Sequence, residues 1–252
     1  MKSGGYFKLV LLSSLIFALL CSLTPIGAPG PVVTLAAVDQ PPEEEGPPTG
    51  HKMNDPFESW NRKVFDFNDG LYFHVIKPVA EVYSHCLPLD LRVGLKNGFY
   101  NLVFPGRFIN CILQGKIDKA SIQVARFVIN SALGIAGLID IAQHKFKIPP
   151  YDVDFGQTLA LWGLGSGPYL VIPVLGPSDE RDLVGLGADG AMDPMFWFPV
   201  DWWVSFVATT DKYLNKASLE IGQYEEVKKA SLDPYVAVRD GYIQYREHFI
   251  SK

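Results

Sequence analysis

The chain has 252 residues, 48% hydrophobic and 19% charged, with a formal net charge of −5. Taking Lys2 and Lys8 away with an export signal leaves 20 basic residues against 27 acidic ones, a net charge of −7, which argues against nucleic acid as a partner. Beyond Cys21, Cys86 and Cys111 make either one disulfide in an oxidising compartment or two buried thiols.

Lys2 and Lys8 precede an apolar run from Leu9 to Leu20, broken only by Ser13 and Ser14. Residues 1–38 therefore read as an export signal. Ala18-Leu19-Leu20-Cys21 only partly resembles a lipobox, because Leu20 stands where a small residue normally precedes the lipidated cysteine. Lipidation at Cys21, with Ser22 as an outer-membrane sorting residue, competes with cleavage after Ala28 or within Thr34 to Ala37. An uncleaved anchor ranks third, since Pro25, Pro29 and Pro31 end the apolar helix early. Residues 39–53, with the stretch DQPPEEEGPPTG, form a Pro/Glu-rich extended tether. Residues 54–252 suit one domain with a sizeable core.

In that domain, Asn54 or Asp55 is placed to cap a helix with Pro56 at its first position. Phe57, Trp60, Val64, Phe67 and Leu71 recur on one face, opposite Glu58, Asn61, Arg62, Asp66 and Asn68. That second face is either solvated surface or a polar wall. Leu87 to Gln143 predicts three or four helices separated by Pro105 and Gly115, among them an amphipathic stretch from Lys116 through Phe127. The block Phe127 to Ala142 carries one charge, Asp140, and is too short and glycine-interrupted to span a bilayer, so an interfacial or core helix is expected.

Phe155 to Ser178 (FGQTLALWGLGSGPYLVIPVLGPS) holds no charged residue, five glycines and three prolines. Its length approaches the ~20 residues of a membrane span, but Gly and Pro at this density prevent a helix from closing its own hydrogen bonds. A cavity-lining loop and a buried structural loop both satisfy these facts. The acidic cluster Asp179 to Asp182 is expected as a solvated boundary. Farther on, Ala191 to Thr210 concentrates Phe196, Trp197, Phe198, Trp202, Trp203 and Phe206, aromatic side chains suited either to a core or to the headgroup level of a membrane. Asp233 and Pro234 start a last helix whose Tyr235, Val238, Tyr242, Tyr245 and Phe249 form a packing stripe.

Local catalytic signatures are weak. Gly163, Gly165 and Gly167 are not followed by Lys-Ser or Lys-Thr, which disfavours a phosphate cradle. Ser166 lacks nucleophile-elbow spacing, and the five histidines are scattered without metal-ligand spacing. No cofactor or metal site is expected.

Several separated blocks, taken in order, resemble the MlaA (VacJ) family of bacterial outer-membrane lipoproteins. They are Asp55-Pro56 with Glu58, Asn61-Arg62, Phe65 and Phe67-Asn68; Pro78-Val79-Ala80; Asn110 with Leu113-Gln114-Gly115-Lys116; and Arg126-Phe127 with Asn130, Gly134, Gly137 and Asp140. Phe155 to Leu159, Trp162-Gly163, Gly165, Gly167-Pro168-Tyr169, Pro173, Gly176-Pro177-Ser178 and Arg181-Asp182 continue the series. The lipobox departs from the family pattern at Leu20.

The resemblance implies an all-α single-domain ring of amphipathic helices in the periplasmic leaflet of the outer membrane, with a central amphipathic channel and a Gly/Pro-rich loop. It implies removal of misplaced outer-leaflet phospholipid, transfer to a soluble periplasmic lipid carrier of the Mla pathway, and association with a porin trimer. With no nucleotide motif present, movement is expected to be passive. On this reading Asn61, Arg62, Asn68 and Arg126 line the polar path, Trp162, Gly163, Gly165, Gly167, Pro168 and Tyr169 form its wall or gate, and Phe196 to Phe206 supply the membrane-facing rim. A structural envelope lipoprotein and a lipid-acting hydrolase built on Ser166 are the alternatives.

Overall fold

The computed structural model describes residues 55–197 and 201–251; the export signal, Cys21, the tether, Asn54 and Phe198 lie outside the described residues. The first helix, α1 (Glu58–Leu71), passes through one π-helical turn, Tyr72–Ile76, into α2 (Lys77–Cys86). Pro78 has no N–H and its ring crowds the carbonyl four residues back, so the wider turn accommodates it without ending the helix. Next come α3 (Leu89–Leu102) and α4 (Phe104–Leu113), which part at Val103 ahead of Pro105. Past Gly115 lie α5 (Ile117–Leu133) and the short α6 (Ile141–His144). Helix α7 (Phe155–Leu161) leads into a hairpin of β1 (Tyr169–Ile172) and β2 (Gly176–Asp179), antiparallel, with Tyr169 opposite Asp179 and Ile172 opposite Gly176. The remainder is α8 (Glu180–Met192), α9 (Pro194–Trp197), α10 (Trp202–Leu219), α11 (Gln223–Ala230) and α12 (Pro234–Ser251).

The contacts between these elements close on themselves. Helix α2 packs on α10, α10 on α3, α3 on α4 and α5, α4 on α7 and α8, those two on the hairpin or α12, and β1 back on α1. Among the described residues the fold is all-α apart from one hairpin. Helices α7 and α8 meet through glycine: a Cβ on Gly185 would lie 2.5 Å from the Gly156 backbone nitrogen. No helix among the described residues is long and apolar enough to cross a membrane.

Burial is inverted relative to an ordinary soluble domain. Asn61, Asn110, Gln123, Thr158, Asp179 and Asn215 are among the most completely enclosed side chains, whereas Trp60, Phe67, Val128, Leu133, Ile135, Val184, Trp197 and Trp202 face outward. Most buried polar groups are held by partners, as enclosure requires, although Arg126 Nε and Asn215 Oδ1 have no hydrogen-bond partner among the described residues. Three helix-capping carboxylates also neutralise arginines: Asp140 caps α6 and pairs with Arg126, Asp154 caps α7 and pairs with Arg246, and Asp179 caps α8 and pairs with Arg181.

Several expectations need correction. Asp55 does not cap α1, whose N-cap is Phe57; its carboxylate instead accepts from Asn61 Nδ2 at 2.9 Å and from the Tyr235 hydroxyl. Asn61, on the face open to a solvated reading, is fully buried, while Phe57, Trp60 and Phe67 opposite it are exposed. Phe127 to Ala142 is not one helix. Leu133 ends α5, and the chain turns through Ile135, Ala136 and Gly137, all at positive φ; Asn101 packs where a Cβ on Gly137 would stand, which only glycine allows. Phe155 to Ser178 is not a continuous loop but a short helix, a glycine turn and a hairpin. Asp179 to Asp182 is no solvated boundary either, since Asp179 and Arg181 are enclosed within an ionic network.

A candidate lipid-headgroup cavity

Two cavities share a wall formed by Val103, Arg107, Val153, Asp154, Lys212 and Tyr213. One, of about 400 Å³, adds Lys96, Phe99, Tyr100, Asp152, Asn215, Lys216 and Glu220 from α3, α10 and the 151–154 segment. The other, of about 240 Å³, extends toward Leu186, Asp189, Gly190, Met192 and Asp193 on α8 and its C-terminal end. Aromatic and aliphatic side chains thus alternate with charges of both signs. Such a lining suits an amphiphile rather than a purely apolar ligand.

Its floor is rigid. Asp154 accepts from Gln157 N at 2.7 Å and from both terminal nitrogens of Arg246, at 2.5 and 3.1 Å. Burial alone would raise the Asp154 pKa, but Arg246 and the cap hydrogen bonds hold it below the ordinary carboxylate value. Arg246 also donates to Asp182 at 2.6 Å, and Tyr242 donates to the other Asp182 oxygen at 2.5 Å. Burial works against the Arg246 charge, yet its two carboxylates override this and raise its pKa. Asp189 accepts from Asn110 Nδ2 at 2.9 Å and from Phe155 N at 3.1 Å, and burial pushes its carboxyl up. Thr158 joins the same cluster, its hydroxyl donating to Asn110 Oδ1 at 2.9 Å. These bonds fix α4, α7, α8 and α12 around the cavities.

None of the ten residues expected to form the lipid path lines either cavity. Asn61 and Asn68 instead clasp the hairpin: Asn61 donates to Tyr169 O at 3.0 Å and accepts from Val171 N at 2.9 Å, while Asn68 donates to Ile172 O at 3.0 Å and accepts from Val174 N at 2.7 Å. Tyr169 is enclosed beside Tyr235 and Tyr242. Arg62 lies half-exposed between Glu58 and Asp233 at 2.8 and 2.9 Å. Arg126 is buried against Asp140 at 2.6 Å and the Ile148 carbonyl. Trp162, Gly163 and Gly165 are exposed, with Trp162 Nε1 donating to Leu113 O at 3.2 Å; Gly167 is exposed and Pro168 half-buried.

The expected aromatic rim has a different disposition. Trp202 is 80% exposed, Phe196 and Trp197 are each 70% exposed, and Phe206 is 64% exposed. Trp203 is half-buried and donates to Asp201 at 3.2 Å. The single-charged Phe127 to Ala142 region adds exposed Val128, Leu133, Ile135 and Ile139. Cys111 is a buried free thiol, so it is not paired with Cys86. Among the described residues no cluster of His, Cys, Asp or Glu is placed to hold a metal ion.

A family model described as MlaA lipoprotein spans residues 53–249. The chain belongs to the MlaA lipoprotein family. It is 32% identical to the intermembrane phospholipid transport system lipoprotein MlaA of Escherichia coli over 206 residues, 79% of this chain and 78% of that one. The Haemophilus influenzae MlaA is 31% identical over 202 residues, covering 77% and 78% of the two chains. An uncharacterized Rickettsia prowazekii protein is 35% identical over 210 residues, 79% of this chain and 81% of the other. A solved structure addressing the structural basis for maintenance of bacterial outer membrane lipid asymmetry aligns with a TM-score of 0.69 at 30% identity, over 78% of this chain and 99% of that chain.

Within this MlaA family frame, sequence reasoning missed Arg107, Lys96, Lys212 and Lys216. Arg107 did leave a signal: it is the sole charge between Lys96 and Lys116, in a segment otherwise uncharged. A lone arginine at such a place needs a partner from elsewhere in the chain or from a ligand. The lysines of α10 left none, because the cavity forms only when α10 packs on α3.

Proposed function

We propose that this chain is a passive phospholipid conduit of the outer membrane, taking misplaced phospholipid from the outer leaflet to a soluble periplasmic carrier and so maintaining lipid asymmetry. The observation that carries this reading is the inverted burial: an interior of asparagine, glutamine, arginine and aspartate inside an exterior of leucine, isoleucine, phenylalanine and tryptophan. Such a surface is stabilised by hydrocarbon rather than by water. On this reading the body lies in the periplasmic leaflet, a placement that its exposed apolar side chains support. A headgroup crossing that depth without polar partners costs several kcal/mol, and the charged cavities beside Arg107 supply them.

On this reading the protein binds and orients lipid without breaking a bond. Lipid flow follows its own gradient and capture by the carrier. Trp197, Trp202, Phe196 and Phe206 seat the body at headgroup level. The exposed apolar flank is also where a porin trimer docks. The exposed Trp162 to Pro168 turn lies outside the two cavities and on this reading extends the path beyond them, and the hairpin held by Asn61 and Asn68 fixes it against α1.

Deleting the gene and measuring surface-exposed phospholipid tests the reading. Phospholipid accumulates in the outer leaflet and detergent resistance falls if the conduit exists. An unchanged outer leaflet refutes it.

A further inference from the structure

Four arginines are buried in this chain: Arg107, Arg126, Arg181 and Arg246. Three have a carboxylate within ion-pair distance, namely Asp140, Asp179 and Asp154. Arg107 does not. Only 7% of it is exposed, and its guanidinium is packed over the Tyr100 ring with the carbon 3.6 Å from the ring centroid. Nη2 donates to the Tyr100 carbonyl at 2.6 Å and Nε to Gln123 Oε1 at 3.3 Å. Both acceptors are neutral, and Nη1 has no hydrogen-bond partner among the described residues.

A buried guanidinium with no carboxylate at ion-pair distance is costly: burial pulls the Arg107 pKa down by more than Tyr100 and the nearby Asp152 raise it. The Tyr100 carbonyl and Gln123 Oε1 would be satisfied by a neutral donor, so among these contacts only the stacking on the Tyr100 ring uses the charge. Arg107 also borders both cavities. Around it stand Lys96 on α3 and, one turn apart on α10, Lys212 and Lys216; none of these lysines forms an ion pair among the described residues. The carboxylates in the same lining are Asp152, Asp154, Asp189, Asp193 and Glu220. Asp154 is taken by Arg246, Asp189 by Asn110 and Phe155 N, and Asp193 by Met195 N, while Asp152 and Glu220 lie exposed at the rim.

We propose that Arg107 is the phosphate-binding residue of the conduit, its planar donors meeting a lipid phosphodiester that Lys96, Lys212 and Lys216 draw into the cavity. This rests on the conduit reading and adds to it the part of the lipid that is recognised. Arginine suits the role because it presents several N–H donors in one plane and stays charged when partly desolvated. The lysines raise the local concentration of anions, an effect that weakens as salt is added.

The test titrates the purified full chain with dihexanoylphosphatidylethanolamine, dihexanoylglycerol, glycerophosphoethanolamine and inorganic phosphate. Wild type is expected to bind the phospholipid more tightly than the diacylglycerol or either chain-free phosphate. Arg107→Gln is expected to weaken phospholipid binding by about tenfold or more, the worth of a charge-assisted hydrogen bond, and to leave diacylglycerol binding unchanged. Arg107→Lys recovers part of that loss. Equal phospholipid affinity in wild type and Arg107→Gln overturns the assignment. So does preference for inorganic phosphate over the lipid, which would make the site one for the free ion. Should Arg107→Gln fail to fold, the Lys212→Gln, Lys216→Gln pair on the cavity side of α10 is expected to weaken binding and flatten its salt dependence; an unaltered titration overturns the proposal. Undiminished phospholipid transfer by a folded Arg107→Gln chain removes the assignment and leaves the conduit standing, whereas a wild type that binds no phospholipid removes both.

Discussion

Asn61 and Tyr169, on α1 and β1, are joined by a 3.0 Å hydrogen bond from the asparagine amide to the tyrosine carbonyl, and the same side chain accepts from Val171 N at 2.9 Å. One fully buried amide therefore binds the first helix to the hairpin's first strand. Asp55 fixes the amide's orientation by accepting its other N–H at 2.9 Å.

Replacing that amide with an apolar side chain of similar size leaves the two strand groups buried and unsatisfied. Asn61→Leu is expected to cost about 2–4 kcal/mol, from about 1–3 kcal/mol for each buried backbone group left without a partner, partly relieved by relaxation. Denaturant unfolding measures the loss. Hydrogen exchange at Val171 should accelerate in step.

The α7–α8 contact makes a prediction of opposite signs at two glycines of one helix. Gly185→Ala forces a methyl against the Gly156 backbone and is expected to destabilise by about 1–3 kcal/mol, as overpacking does. Gly187→Ala meets nothing within 4 Å and is expected to stabilise by about 0.5–1 kcal/mol through helix propensity. Thermal melts of the two variants should shift in opposite directions.

Asp140 ties acid sensitivity to the Arg126 pair. Burial works to raise its pKa, but hydrogen bonds from Arg126, Asn130 and Gln143 N hold it below the ordinary 3.8. A depressed carboxylate contributes stability that is complete above its unfolded value and lost as pH falls through the folded one. Asp140→Asn is therefore expected to cost about 3–5 kcal/mol at neutral pH, since it strands a buried guanidinium. The gap to wild type should hold down to about pH 5 and close below the ordinary carboxylate value, which melts from pH 7 to pH 3 measure.

The outward tryptophans predict membrane affinity without a role in folding. Trp197→Ala and Trp202→Ala are each expected to lower partitioning into phospholipid vesicles about tenfold, from the apolar area they withdraw. Their denaturant midpoints in detergent should stay near wild type. Vesicle flotation provides the measurement.

Much of the helical frame was legible locally, because its signals are local. Pro105 and Gly115 mark the ends of α3 and α4, and Asp233-Pro234 starts α12, where Asp233 accepts from Tyr235 N at 3.0 Å. The direction each face points was not legible in periodicity alone. Phe57, Trp60 and Phe67 show the same 3.6-residue pattern whether they meet a core or hydrocarbon. The hairpin was missed because Leu170 to Leu175 is continuously uncharged, and it becomes a hairpin through Asn61 and Asn68 about a hundred residues earlier. Asp179 to Asp182 looked solvated because Arg246, which neutralises Asp182, lies 64 positions away. The cavity was hidden for a similar reason: Arg107, Lys96 and Lys212 come from three helices that only the folded chain brings together.

The proposed conduit passes phospholipid onward through its polar interior. Its most direct test reconstitutes the full chain into vesicles carrying labelled phospholipid and follows the label to a soluble periplasmic lipid carrier of the Mla pathway. Transfer that depends on the chain, needs no nucleotide and stops when carrier is omitted is the expected result; transfer no faster than from protein-free vesicles would contradict the account.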